Sequence, residues 1–135
     1  PGAQRLVDAV HAAGGHFGVV SGGFEEVVGP LCARMGIDHH VANHLEVRDS
    51  HLTGRVLGEV VTAAVKVRQL EAWCDLHGVG PGRCVAVGDG ANDVPMMRAA
   101  GLGIAFCAKP AVRAAVPDAL SLPRLDLVAA VLGLS

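Results

Sequence analysis

The sequence contains no tyrosine, one tryptophan and three phenylalanines, so it offers few flat side chains on which nucleic-acid bases could stack. It has no run of lysine or arginine and a formal net charge of -2, which leaves no basic stripe for a phosphate backbone. Nucleic acid is therefore not an expected partner. No apolar stretch reaches the roughly 18 residues needed to cross a bilayer. The first residues also lack the basic flank and apolar core of a signal peptide. The expectation is a cytoplasmic protein with no membrane partner. Cys32, Cys74, Cys84 and Cys107 form no Cys-x-x-Cys pair, which speaks against a zinc knuckle or disulfide framework and for small buried thiols. Of the seven histidines, His40 and His44 stand four apart. They fall in a stretch that reads as strand or hairpin, where that spacing does not converge on one ion.

What is present is apolar. Hydrophobic residues make up 51% of the 135 and charged residues 18%, the composition of one globular domain with an apolar surface or an unpaired interface. Leu6, Val7, Val10 and Ala13 recur at helical spacing, and Gly14-Gly15 stops that helix. The run from Phe17 to Val20 reads as a buried strand closed by a tight Ser21-Gly22-Gly23 loop, followed by a helix from Phe24 to Met35. Val41 to Asn43 reads as a short strand, and Leu45 to Leu57, broken at Asp49-Ser50 and Thr53-Gly54, as a small β-excursion. A helix is expected from Val61 to His77, with Val61, Ala64, Val65, Leu70, Trp73 and Leu76 on one face. The clearest strand-to-helix unit runs from Cys84 to Val87, through Gly88-Asp89-Gly90-Ala91-Asn92-Asp93, to Ala100. A strand from Leu102 to Phe106 and helices at 110–116 and 125–134 complete an α/β, Rossmann-like parallel sheet with helices on both faces.

In such sheets ligands collect at the carboxyl ends of the strands. Ser21 ends one strand there, and Asp89, Asn92 and Asp93 follow another. Gly88 and Gly90 allow a sharp turn. Asp89 and Asp93 then face one small volume and repel unless a hard cation such as Mg²⁺ sits between them. The alternative is that Asn92 or Asp93 is a helix N-cap and Asp89 a turn residue. Ser21 and the next backbone N–H groups could hold a phosphoryl oxygen, or simply cap a helix. Only two lysines occur, Lys66 and Lys109. Lys66 stands near the start of an apolar helix, an unfavourable end for a cation, which makes a role toward an anion worth proposing; the ordinary alternative is a solvated surface lysine.

Taken in order, Ser21-Gly22-Gly23-Phe24, Ala42-Asn43, Leu45-Glu46-Val47, Thr53-Gly54, Lys66, Gly88 through Asp93, Ala100 through Ala105 and Ala108-Lys109-Pro110 closely resemble the bacterial phosphoserine phosphatases of the haloacid-dehalogenase superfamily. The resemblance runs through nearly the whole chain and is most specific from Val85 to Pro110. It implies that Ser21 and the N–H of Gly22 hold the transferring phosphoryl group and that Lys66 neutralises charge between phosphate and nucleophile. It further implies that Asp89 binds Mg²⁺ directly, Asp93 supports the ion, and Asn92 joins the same polar shell. The substrate would be phosphoserine and the intermediate an aspartyl-phosphate.

The family's first motif, a strand ending in two aspartates separated by one residue, is absent here. Both it and the helical cap over the substrate should precede Pro1. The resemblance puts that strand at the centre of the sheet, between those ending at Ser21 and Val87, so residues 1–135 are expected to be a partial core domain with two unpaired edges. Three explanations follow: an incomplete sequence, a fragment completed by a second chain, or a degenerate relative that has lost catalysis; a complementing chain or a homodimer is the expected protein partner. Thr62 stands where related sequences often carry an acidic residue. The rival from another class is a non-catalytic phosphate- or Mg²⁺-binding module. A response-regulator-like receiver fits poorly, since its acceptor aspartate would end an early strand, and the early strand here ends in Ser21.

Overall fold

The computed structural model describes residues 2–116, 118–120 and 124–134. Its elements alternate as the sequence suggests. Helix α1 (Ala3–Ala12) is followed by strand β1 (Gly18–Phe24), helix α2 (Glu25–Met35) and the antiparallel pair β2 (His39–Arg48) and β3 (His51–Leu57). Helix α3 (Ala63–Leu76), strand β4 (Val85–Gly88), helix α4 (Val94–Ala99), strand β5 (Leu102–Phe106), helix α5 (Pro110–Ala115), strand β6 (Asp118–Leu120) and helix α6 (Asp126–Val131) complete the order.

The parallel strands β4, β5 and β6 form one sheet, in register Val87↔Ile104 and Ile104↔Asp118. Successive strand residues point to opposite faces. Ile104 therefore joins Leu6 of α1 and Val128 and Ala129 of α6, with Val87 beside them. Its neighbour Ala105 joins Ala86, Met97 of α4 and Val112 of α5 on the other face. Helices on both faces explain why the run ending at Val87 shows no polar alternation.

The second sheet has the order β1-β2-β3, with β1 and β2 parallel and β2 and β3 antiparallel. The two strands read separately around Asn43 and Leu45 are one strand, β2, and Asp49 and Ser50, at φ 51° and 63°, make the hairpin turn. That is the primed geometry whose twist suits a two-residue hairpin. From α3 the Trp73 ring approaches Gly18 of β1 so closely that a β-carbon there would stand 2.6 Å from it.

Four expectations need correction. The loop expected at Ser21-Gly22-Gly23 remains extended and belongs to β1. Leu76, expected on the buried face of α3, is exposed, and Lys66 is buried instead. Strand β6 has no counterpart in the sequence reading, because three residues carry too short a pattern to recognise. The cysteines are not four buried thiols: Cys74 at the end of α3 and Cys84 just before β4 form a disulfide, and Cys107 is exposed. Their separation of 10 residues matches no local motif, and only the return of the chain from α3 into β4 brings them together.

No helix among the described residues is long and apolar enough to cross a membrane. Among the described residues, the β1-β2-β3 and β4-β5-β6 sheets share no strand pairing, and β1 and β4 each lie at an edge of their own sheet.

Candidate active site

Three buried polar side chains occur among the described residues, Asn43, Lys66 and Asp93. They belong to one chain of bonds at the carboxyl ends of β1 and β4. Polar groups this deep stay buried only when hydrogen-bonded or paired. Each one is.

At β1, pairing with β2 matches Val20 to Val41 and Phe24 to Asn43, so Ser21, Gly22 and Gly23 stand opposite Ala42 alone. The three residues bulge from the ladder, a device that re-aims side chains at sheet edges. The Gly23 N–H donates to Ser21 Oγ at 2.9 Å, leaving the hydroxyl proton available to another acceptor. A β-carbon on Gly22 would meet nothing within 4 Å, so the backbone there is approachable. The side chain of Asn43 donates to the Gly22 carbonyl at 3.0 Å and accepts the Val61 N–H at 2.7 Å.

Val61 leads into Thr62, whose side chain caps α3 by accepting the Val65 N–H at 3.3 Å. A threonine hydroxyl is among the side chains that suit an N-cap. One turn further on, Lys66 Nζ donates to Asp93 Oδ1 at 2.5 Å. The other carboxylate oxygen, Oδ2, accepts the N–H groups of Asp89 and Gly90, each at 3.2 Å. Asp93 thus knots the turn after β4 and anchors it to α3. Gly88 is needed for this, because a β-carbon at that position would stand 2.4 Å from Asp93 Cβ. Asp89 and Asn92 are exposed beside the knot.

The expected site residues therefore divide. Lys66 and Asp93 are in direct contact, and Asp89 is tied to them through its backbone. Ser21 and Gly22 connect to the same assembly through Asn43. The two aspartates differ more than their spacing suggests: both Asp93 oxygens are occupied, whereas Asp89 presents its carboxylate outward. Lys109, the lysine set aside, is exposed at the start of α5. Asn43 had been assigned no role. Its signal in the sequence was a polar residue amid the alternating apolar residues of a strand.

A second polar group lies near the start of β2. The rings of His16 and His77 stack at 3.5 Å, and His39 Nε2 lies 2.7 Å from His77 Nε2. Desolvation, with His16 and His39 close by, holds His77 below the ordinary histidine range. Next to it, burial pushes the Asp38 carboxyl up, but hydrogen bonds from His11 and the Phe17 N–H outweigh this and leave it below the usual carboxylate range. His40 pairs with Glu25 at 2.8 Å.

The fold is thus one of parallel strands with helices between them, with Ser21 near the end of β1, an aspartate turn after β4, and buried Asn43, Lys66 and Asp93 between the two. Residues 1–98 match the haloacid dehalogenase-like hydrolase family, and the chain belongs to that family. A phosphoserine phosphatase of Streptococcus thermophilus is 50% identical over 131 residues, covering 97% of this chain and 61% of its own length. The unliganded crystal structure of a probable phosphoserine phosphatase from Vibrio cholerae superposes with a TM-score of 0.91 at 41% identity, covering 96% of this chain and 40% of that one. A structure of the phospho-aspartyl intermediate analogue of phosphoserine phosphatase gives a TM-score of 0.91 at 38% identity, over 96% of this chain and 62% of that one. The chain thus spans less than two thirds of the length of each of these relatives.

Proposed function

We propose that residues 1–135 are a partial core domain of a Mg²⁺-dependent phosphoserine phosphatase, converting L-phosphoserine and water to L-serine and phosphate. The nucleophile is an aspartate outside these residues, on a strand that would pair with the free edges of β1 and β4. The same reading assigns the protein to the cytoplasm and to serine biosynthesis. It leaves a longer chain or a complementing chain as the source of that strand. The observation that carries it is the unbroken set of bonds from Gly22 through Asn43 to the start of α3, and from Lys66 through Asp93 to the turn at Asp89.

The residues fit a hard cation in one specific way. Asp89 offers an oxygen ligand, while Asp93, with both oxygens engaged, acts on the ion through its neighbours and water. Asp89 alone does not complete a cation's oxygen shell, so the ion would also take oxygens from water and from groups outside these residues. When bound, Mg²⁺ supplies positive charge against the transferring phosphoryl oxygens.

This chain's own groups do the rest. A phosphate monoester brings a charge of about -1.5 to -2, and three carboxylates around it would repel both it and one another. An ammonium has three donors; Asp93 takes one from Lys66, and the others can face the phosphoryl group and the nucleophile. Ser21 Oγ–H and the Gly22 N–H hold the phosphoryl oxygens while the serine–phosphate P–O bond breaks and an aspartyl P–O bond forms, the leaving serine oxygen taking a proton from the second aspartate of the nucleophile's segment. Water then cleaves that acyl phosphate and releases phosphate. Phosphoryl transfer depends mainly on such positioning and charge stabilisation.

In the full-length protein, Asp89→Asn should abolish Mg²⁺-dependent phosphate release, because an anionic ligand is lost. Near-normal rates at low Mg²⁺ would refute the assignment. Mg²⁺ and phosphate binding without turnover in the full-length protein would instead support a binding module.

A further inference from the structure

We infer that Asn43 is a positioning residue for the phosphoryl-binding bulge, holding Ser21 and Gly22 in fixed relation to the helix that carries Lys66. This rests on the phosphatase reading above. The bulge forms where β1 leaves its register with β2: three residues, Ser21, Gly22 and Gly23, face one, and ordinary ladder pairing resumes at Phe24↔Asn43. A segment cut loose from its ladder needs another restraint to keep one geometry. Asn43 supplies it from the adjacent register position. Its NH₂ donates to the Gly22 carbonyl, and its Oδ1 accepts from the N–H of Val61, immediately before the α3 cap.

The alternative is a buried asparagine that only satisfies two backbone groups. Three observations favour more than that. Asn43 is buried to the same degree as Lys66 and Asp93. Its two partners lie far apart in the chain: the Gly22 carbonyl is in the bulge beside Ser21, and the Val61 N–H comes just before the cap of the helix that carries Lys66. The path continues without a gap, since the Thr62 carbonyl accepts the Lys66 N–H at 3.0 Å. An amide is suited to this position because one end donates and the other accepts. A carboxylate in its place would keep the bond from Val61 N–H and set an anionic oxygen against the Gly22 carbonyl.

Asn43→Asp in the full-length protein is therefore expected to disturb the bulge while leaving the metal half alone. L-Phosphoserine turnover should fall by roughly 10- to 100-fold, as for a misplaced contact to the reacting group, and inhibition by orthovanadate should weaken in parallel. The Mg²⁺ concentration for half-maximal activity should stay within about twofold. Combined with Ser21→Ala, the loss should be much less than the product of the two single losses, because coupled residues are not additive. Hydrogen exchange at the Gly23 amide, which needs no activity, should accelerate in Asn43→Asp; Asn43→Ser offers the same readout if the aspartate variant does not fold.

A product of losses in the double variant, or unchanged Gly23 exchange, would overturn the inference. If the unsubstituted protein releases no phosphate, or Asp89→Asn stays active, the phosphatase reading fails instead. The exchange measurement would still decide whether Asn43 braces the bulge.

Discussion

Burying Lys66 beside Asp93 takes two full charges out of water, and removing one partner leaves the other uncompensated. Lys66→Ala should lower the unfolding free energy by about 3–5 kcal/mol, measured by urea denaturation. It should also impair turnover severely. Lys109→Ala, at an exposed position, should change turnover by less than about twofold, in line with substitutions away from any buried partner. Equal effects from the two lysines would contradict the assignment. A Lys66→Met, Asp93→Asn pair separates the two consequences, because it removes both charges together while keeping a side-chain oxygen for the Asp89 and Gly90 N–H groups, and should recover part of the stability without the activity. At this scale the sequence conveys which residues are chemical but not what they touch. Gly88 through Asp93 and Ser21 were legible from strand ends and glycines. The Lys66–Asp93 contact, the Cys74–Cys84 bond and the brace at Asn43 join residues brought together only by the fold.

Elements were legible where their signals are local. Helix α1 ends before Gly14 at φ 80°, α2 at Gly36 at φ 72° and α3 before Gly78 at φ 65°, as glycines that relieve left-handed strain predict. The bulge in β1 was not legible, since Ser-Gly-Gly reads equally as a loop and its extra residues are visible only against β2. Two substitutions test the elements that carry the site. Thr62→Ala removes the α3 cap and should cost about 1 kcal/mol, seen as a lower denaturation midpoint with an unchanged slope. Gly88→Ala would push a methyl group into Asp93. It should open the turn after β4 and reduce turnover more than it reduces stability, an outcome that comparing kcat with the denaturation midpoint would reveal.

For the molecule as a whole, the histidine group near the start of β2 sets an acid limit. The folded state holds His77 below its ordinary value, so the unfolded chain binds the proton more readily. The stability associated with this group is present above about pH 6.5 and declines as the pH falls toward the lowered folded value. Asp38 adds a second decline further into acid: its contribution is present above about pH 3.9 and lost as the pH falls through its depressed value. Thermal midpoints measured between about pH 7 and about pH 5, the range in which histidine titrates, should fall in the unsubstituted protein. His77→Gln should flatten that fall, and an identical profile would contradict it.

The open edges of β1 and β4 are the other whole-molecule feature, since unpaired edges invite further strands. They connect the fold to the central claim that the nucleophile comes from outside residues 1–135. The most direct test is steady-state phosphate release from L-phosphoserine, with and without Mg²⁺, comparing the 135-residue chain with one extended upstream to include the proposed strand with paired aspartates. Activity confined to the extended protein and dependent on Mg²⁺ is the predicted result. Turnover by the 135-residue chain alone would mean that a carboxylate within it, Asp89 foremost, is the nucleophile, and would contradict the mechanism.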